Sequence, residues 1–145
     1  MNEKLTIFYA DDDLDDLEFF KLIIKQIGGN YEVVTHADGV ELLAAINNPP
    51  PTPYLVFLDI NMPKMNGLEV LKKLRESDKF KNLPVIILST TKDGPYVQQS
   101  LALGANYYVP KSSRFDELKL SIEHSLQINW ETFIPDHSNF TYSSN

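Results

Sequence analysis

Cysteine is absent from the 145 residues, and glycine is scarce, with only six copies. The missing cysteine excludes disulfide bridges, thiolate zinc sites and cysteine nucleophiles, and it is compatible with a reducing compartment. No apolar run approaches the roughly 18 residues of a membrane helix, and the first apolar run is too short for a signal peptide. With 43% hydrophobic residues, the sequence predicts one compact cytoplasmic domain with a hydrophobic core.

Basic residues are also in the minority. Lys and Arg together number 13 against 20 Asp and Glu, so the formal net charge is −7. A nucleic-acid-binding face needs clustered Lys and Arg side chains. We therefore expect contacts with neither nucleic acid nor membrane, and we expect the partners to be other proteins.

The chain does contain apolar runs that end abruptly on polar residues. The run Leu55–Leu58 is followed by Asp59, and the run Leu5–Ala10 is followed by three acids at 11–13. Such runs are typical of strands buried on both faces of a parallel sheet. The carboxyl ends of parallel strands meet at one edge, where open α/β sheets place ligands. Asp59 is thus a candidate nucleophile or metal ligand, although a turn-forming Asp gives the same pattern.

The acidic run predicts a metal site. Adjacent carboxylates repel one another unless a cation lies among them or some of them face water, and such oxygen ligands suit Mg²⁺. We take Asp11 and Asp12 as metal ligands, whereas Asp15 and Asp16 are expected to favour the positive end of the next helix. A calcium-binding loop would begin similarly, but Asp16 replaces its glycine and Leu22 replaces its glutamate.

Two further runs supply a hydroxyl and an amine. The run 85–88 leads into Ser89, and the run 107–109 leads two residues later to Lys111. An Asp carboxylate can attack a phosphoryl group and form an acyl phosphate. A metal, an ammonium and a hydroxyl would meet the charge of the transferring group. Each residue alone has an ordinary surface or loop explanation, but together they predict phosphoryl transfer onto Asp59.

These motifs resemble those of the receiver domain of two-component response regulators, a CheY-like phosphoacceptor module. The matching segments are ADDD at 10–13, LDINMPKMNG at 58–67, PVIILSTT at 84–91 and GANYYVPK at 104–111. The resemblance covers about residues 4–128 and is that of a stand-alone, single-domain receiver. One departure is that the family normally has a proline after its lysine, whereas here Pro110 precedes Lys111.

The resemblance implies a role for each matching residue. Asp59 would be the phosphoacceptor, Ser89 would hydrogen-bond the phosphoryl group, and Lys111 would pair with it. Thr90 stands where many relatives carry Ala or Gly, so we expect it to slow dephosphorylation by narrowing the access of water. Mg²⁺, or Mn²⁺ in its place, would be held by Asp12 directly, Asp11 through water, Asp59, and the backbone carbonyl of Asn61.

Between the strands, apolar residues recur at steps of three and four and predict five helices. Right-handed crossovers would fold this βα alternation into a doubly wound, five-stranded parallel sheet. The resemblance implies a flavodoxin-like (βα)5 fold with strand order 2-1-3-4-5. Residues 1–129 are assigned to the receiver domain and residues 130–145 to a C-terminal tail. In that tail, Trp130 and Phe133 either fold back on the body or on a second copy, or stay flexible.

The function implied is that of a response regulator rather than an enzyme that turns over a substrate. A sensor histidine kinase or a histidine phosphotransfer protein would phosphorylate Asp59, and the signal would pass through protein contacts or onward phosphotransfer. One alternative is a degenerate receiver that binds partners without phosphorylation, but the intact residue set counts against it. A phosphatase similar to haloacid dehalogenases is another, but those enzymes carry the nucleophile first and the acid pair last.

The resemblance also places an output face, and a homodimer contact, on the fourth helix, the last strand and the fifth helix. Tyr108 matches the aromatic residue that responds to phosphorylation in the family. Two tyrosines on a short strand are also explained by core and edge packing. The residues expected to be exposed or switching on this face are Pro95, Tyr96, Gln99, Tyr107 and Tyr108.

Overall fold

The computed structural model describes residues 4–91 and 93–143. Strands and helices alternate along the chain, as the sequence predicts. They are β1 (Leu5–Ala10), α1 (Leu14–Ile27), β2 (Tyr31–His36), α2 (Gly39–Ile46), β3 (Leu55–Leu58), α3 (Gly67–Glu76), β4 (Val85–Ser89), α4 (Gly94–Ala102), β5 (Tyr107–Pro110) and α5 (Phe115–Gln127). The assigned domain and tail include residues 1–3, 92 and 144–145, which lie outside the described residues.

The five strands form one parallel sheet in the order β2-β1-β3-β4-β5. The predicted fold class and strand order are therefore confirmed. In this order the connection after β1 leads to one side of the sheet and the connection after β3 leads to the other. The crevice at such a switch point is where α/β sheets bind ligands. Ala10 of β1 lies beside Leu58 of β3, so Asp11 and Asp59 leave the sheet as neighbours.

Two hydrophobic clusters cover the two faces of the sheet. One contains the buried side chains of α2 and α3, with α4 packed at its margin, and the other contains those of α1 and α5. Alternate residues of β1 enter different clusters, Phe8 the first and Tyr9 the second, because successive strand side chains point to opposite faces. None of the helices within residues 4–91 and 93–143 combines the length and the apolar character that a bilayer crossing requires.

Local sequence sets the helix that follows the acidic run. The side chain of Asp13 accepts hydrogen bonds from the backbone N–H groups of Asp15 and Asp16 and so caps α1. Gly28 ends the helix with φ at 81°, a conformation that glycine adopts without steric cost. The Asp13 cap at the start of α1 fixes the turn in which Asp11 and Asp12 lie.

The chain beyond α5 folds back onto the domain. Trp130 is buried, and its ring and that of Phe133 lie 5.8 and 6.0 Å from the ring of Tyr107 on β5. Farther along, residues 140–142 run beside the free edge of β5. Of the alternatives considered for Trp130 and Phe133, the structure shows packing against the body.

His36 provides a test of the packing at the end of β2. Its side chain is 6% exposed, and Nε2 has no hydrogen-bond partner among the described residues. Burial lowers the pKa of His36 below its usual 6.5, so the unfolded chain takes up the proton first as the pH falls. We expect this group to lower the free energy of unfolding below pH 6.5, by at most about 1.4 kcal/mol per pH unit.

The variant His36→Phe keeps an aromatic ring beside Phe8 and removes the titration. We expect its free energy of unfolding, measured with urea in the absence of metal, to decrease less than that of the wild type between about pH 7.5 and pH 5.5. His137→Gln is the control, because His137 is exposed. Equal pH dependence in His36→Phe and the wild type would contradict this explanation.

Candidate functional site

Three carboxylates gather where β1 and β3 end. Asp11, Asp12 and Asp59 each offer an oxygen atom, and these atoms all lie within 4.8 Å of one another. Asp11 and Asp59 are buried, whereas Asp12 is exposed. A cluster of hard oxygen donors with one side open to water suits Mg²⁺ or Mn²⁺, which keep several water ligands. The structure thus brings together the three carboxylates predicted as metal ligands.

Backbone hydrogen bonds from neighbouring strands fix these residues. The N–H of Asp59 donates to the carbonyl of Ala10 over 3.0 Å, and the N–H of Asp11 donates to the carbonyl of His36 over 3.1 Å. Asn61 lies at the exposed surface, and its amide nitrogen donates to the hydroxyl of Thr91 over 3.0 Å. Asn61 is thereby joined to the loop after β4, while the role of its carbonyl as a ligand stays a prediction.

Lys111 reaches into the acidic cluster from the end of β5. Its Nζ lies 2.5 Å from Asp11 Oδ2, 2.8 Å from Asp16 Oδ2 and 3.7 Å from Asp59 Oδ2. Burial works to lower the pKa of Lys111, but the hydrogen bonds to Asp11 and Asp16 outweigh it and raise the pKa to about 12. The amine is therefore a fixed positive charge, and the proline before it does not prevent this contact.

The Asp59 carboxyl lies in an environment that disfavours its charge. Burial, joined by the negative charge of Asp11, raises its pKa to about 6, although Lys111 and a hydrogen bond from Ser89 act in the opposite direction. At pH 7 the group is mostly ionised and poorly neutralised. A divalent cation beside it would relieve this repulsion.

Ser89 connects Asp59 to the other side of the sheet. It ends β4 and is fully buried. Its hydroxyl acts to lower the pKa of Asp59, and its Oγ accepts a hydrogen bond from the N–H of Thr91 over 3.3 Å. The Tyr108 hydroxyl donates to the backbone carbonyl of Thr91. Thr90, which lies between Ser89 and Thr91 in the chain, is exposed. Ser89 and Tyr108 are thus connected through the backbone of Thr91, and Ser89 also faces Asp59.

The residues predicted for the output face differ in their exposure. Tyr107 is 4% exposed and Tyr108 is not exposed at all, so the expectation that they are exposed is wrong, while a switching role for them stays a prediction. Both phenols are covered by the body and by the segment after α5, which the sequence pattern did not reveal. The residues of α4 named for this face, Pro95, Tyr96 and Gln99, are exposed.

Two residues of the site were missed at the sequence level. Tyr9 donates a hydrogen bond from its buried hydroxyl to the carboxylate of Asp11, and burial together with that charge raises the pKa of Tyr9. Asp16 does lie in the first turn of α1, as expected, but it also binds Lys111. Tyr9 could have been noticed, since residues i and i+2 of a strand point to the same side.

Gly67 provides a test of how closely α3 approaches the site. A Cβ at this position would lie 2.1 Å from the backbone carbonyl oxygen of Asp59, and the N–H of Gly67 donates to the carbonyl of Ile60 over 2.9 Å. Because backbone atoms cannot move aside cheaply, we expect Gly67→Ala to lower the free energy of unfolding by roughly 1–3 kcal/mol. Urea denaturation measures this change.

Gly94→Ala is the matched control, since a Cβ at the start of α4 would meet no atom within 4 Å. We expect its free energy of unfolding to equal or slightly exceed that of the wild type. If both alanine variants were as stable as the wild type, the close approach of α3 to Asp59 would not be a real constraint.

A doubly wound sheet with an acidic cluster, a hydroxyl and a partly buried lysine at its carboxyl edge defines the class of CheY-like receiver domains. Residues 7–123 match the family model described as response regulator receiver domain. The chain belongs to this family. The resemblance found in the sequence is thereby confirmed.

Similar proteins cover almost the whole chain. Chemotaxis protein CheY1 of Helicobacter pylori is 32% identical over 126 residues, which are 86% of this chain and 99% of that protein. The structure of the phosphorylated cyanobacterial phytochrome response regulator RcpA superposes with a TM-score of 0.79 at 28% identity, covering 92% of this chain and 98% of that one. The Mn²⁺-bound form of response regulator Rcp1 has a TM-score of 0.77 at 25% identity, covering 90% and 97%.

Proposed function

We propose that this chain is a response regulator receiver that accepts a phosphoryl group on Asp59 in a Mg²⁺-dependent reaction. The donor is the phosphohistidine of a sensor histidine kinase or of a histidine phosphotransfer protein. The observation that supports this best is the cluster of Asp11, Asp12 and Asp59 within 4.8 Å, with Lys111 Nζ 3.7 Å from Asp59.

The reaction follows from the residues present. A carboxylate oxygen of Asp59 attacks phosphorus, the new O–P bond forms as the P–N bond to imidazole breaks, and the imidazole leaves with the electron pair. Asp59 is mostly ionised at pH 7 because its pKa is about 6. The hydroxyl of Ser89 then donates to a phosphoryl oxygen, and the ammonium of Lys111 pairs with another.

The metal site is proposed on the same residues. Asp11, Asp12 and Asp59 supply carboxylates and Asn61 supplies its backbone carbonyl, and the bound ion neutralises charge on the transferring group. An exposed Asp12 leaves room for water ligands. The relative Rcp1 has a Mn²⁺-bound form, which supports divalent metal binding here, and we propose Mg²⁺ as the resident ion with Mn²⁺ as a substitute.

The output is proposed to be a protein contact or onward phosphotransfer, in the cytoplasm. The family is a signalling receiver domain and not a classical enzyme. The relative RcpA is a phytochrome response regulator solved in its phosphorylated form, which supports both the phosphoacceptor chemistry and a phytochrome-type sensor kinase as the donor. Helix α4, strand β5 and helix α5 are the proposed contact face, including that of a homodimer.

Intact-mass analysis with acetyl phosphate tests the proposal. We expect a single adduct of about 80 Da with Mg²⁺ or Mn²⁺ and none when a chelator removes the metal. Asp12→Asn should slow adduct formation at least about tenfold, whereas Asp15→Asn, an exposed acid outside the cluster, should leave the rate unchanged. Failure of the wild type to form an adduct, with rapid phosphate release excluded, would favour a degenerate receiver that acts only by binding.

A further inference from the structure

The outer edge of β5 is occupied by the chain's own C-terminal segment, residues 136–142, which we call the strap. The N–H of Tyr108 donates to the carbonyl of Phe140, and the N–H of Tyr142 donates to the carbonyl of Tyr108, both over 2.9 Å. Phe140 is 2% exposed and belongs to the core cluster on the α2–α3 face, with its ring 6.3 Å from that of Tyr108. The strap therefore pairs with β5 and also fills part of the core.

The strap begins with a hydrogen-bonded turn rather than a loose connection. The carboxylate of Asp136 accepts hydrogen bonds from the N–H and the hydroxyl of Ser138, over 2.8 and 2.6 Å, and from the N–H of Asn139 over 3.0 Å. The N–H of Phe140 donates to the carbonyl of Asp136 over 3.1 Å. This turn places the side chain of Phe140 in the core.

A continuous series of contacts joins the strap to Asp59. The Ser89 hydroxyl acts on the Asp59 carboxylate and lowers its pKa. Its Oγ accepts a hydrogen bond from the N–H of Thr91 over 3.3 Å, the carbonyl of Thr91 accepts one from the Tyr108 hydroxyl, and the backbone of Tyr108 carries both hydrogen bonds to the strap. Tyr108 is thus the residue at which the phosphoacceptor side of the sheet and the strap meet. A change at Asp59 or in the strap must therefore be accommodated by Tyr108.

We infer that the strap is an autoinhibitory cover: it holds Tyr108 in the arrangement of the unphosphorylated protein, and its release is coupled to phosphorylation of Asp59. The inference rests on the proposed function. A phosphoryl group that draws the Ser89 hydroxyl toward Asp59 disturbs Thr91, whose N–H donates to Ser89 and whose carbonyl accepts from Tyr108. Tyr108, which anchors the strap, then shifts. Release uncovers the N–H and C=O groups of an edge strand, which a partner protein can pair with.

The coupling must be reciprocal, because two events that share one equilibrium affect each other equally. If a phosphoryl group on Asp59 loosens the strap, then loosening the strap by mutation must favour occupation of Asp59. The coupling between Asp59 and the strap can therefore be tested by two independent measurements.

The first measurement is amide hydrogen exchange by NMR, with and without beryllofluoride and Mg²⁺ as a stable substitute for the phosphoryl group. We expect exchange of the Tyr142 N–H to accelerate at least about fivefold on binding. The N–H of Asn106, which donates to Val85 at the other end of β5 over 2.8 Å, is the internal control. Fluorine NMR reports separately whether beryllofluoride is bound.

The outcomes separate the two claims. Bound beryllofluoride with unchanged or slower exchange at Tyr142 would overturn the strap inference and leave the proposed function intact. Absence of beryllofluoride binding would contradict the proposed function and, with it, the strap inference.

The second measurement uses a variant that loosens the strap. Asp136→Ala removes the side-chain hydrogen bonds of the turn without touching the core. We expect faster exchange at Tyr142 and at least about fivefold tighter binding of beryllofluoride with Mg²⁺, measured by fluorine NMR titration. Ile134→Ala is the control, since this side chain is 79% exposed. An Asp136→Ala protein that exchanges faster at Tyr142 but binds beryllofluoride with the affinity of the wild type would overturn the inference.

Discussion

Asp59→Asn is expected to lose the metal-dependent phosphoryl adduct and to gain stability. The adduct disappears because a side-chain amide is too weak a nucleophile to replace the carboxylate. The gain in stability has a separate cause in the pKa of Asp59, which burial and the charge of Asp11 raise to about 6 from 3.8.

The sign follows from the direction of this pKa shift. A carboxyl group whose folded-state pKa is raised favours the folded state while it is protonated, and this benefit is lost as the pH rises through the folded-state value. Above pH 6 the ionised Asp59 therefore lowers the free energy of unfolding of the metal-free protein. We expect Asp59→Asn to raise it by about 1–3 kcal/mol at pH 7.5, and to lose most of this advantage near pH 4.5.

Urea unfolding with a chelator present, at both pH values, measures this difference. Asp15→Asn is the control, because it removes an exposed acid in the first turn of α1, outside the cluster. A less stable Asp59→Asn protein at pH 7.5 would mean that the Asp59 carboxylate is well neutralised without metal. In that case the carboxylate needed for function would not lower the stability of the protein.

Lys111→Met is expected to be the most destabilising single substitution at the site. The Nζ atom lies within 4.0 Å of three carboxylates, of which Asp11 and Asp59 are buried. Removing one partner of a buried ion pair leaves uncompensated charge, which typically costs about 3–5 kcal/mol. We expect a loss of that size in the metal-free protein, measured by urea unfolding at pH 7.5.

Mg²⁺ should restore part of this loss, because the ion brings positive charge to the same carboxylates. The stability of Lys111→Met should therefore depend more strongly on Mg²⁺ than that of the wild type. Lys21→Met is the control, since Lys21 lies 3.4 Å from Glu18 on the exposed face of α1, and such pairs contribute at most about 0.5 kcal/mol. Equal losses in the two variants would contradict the buried network.

The sheet and its edge could be predicted because they depend on local patterns. Apolar runs identify strands, and the residue after each run must lie at the edge that all parallel strands share. Asp11, Asp12 and Asp59 were found in this way, and their proximity in space confirms the principle.

Contacts that depend on how elements pack could not be predicted in the same way. Asp16 was assigned only to the end of α1, because the sequence does not say that Lys111 crosses to that helix. Tyr107 and Tyr108 are buried because residues 130–142 return over β5. That segment has no helical or alternating pattern, and its place is set by single residues such as Phe140 that fill gaps in the core.

Identification of the phosphorylated residue tests the central claim most directly. The protein would be incubated with acetyl phosphate and Mg²⁺ and reduced with borohydride, which converts an aspartyl phosphate to homoserine, and its peptides would be sequenced by mass spectrometry. The account predicts homoserine at position 59 alone, and none when the metal is removed. Modification at another residue, or at Asp59 regardless of metal, would contradict the account.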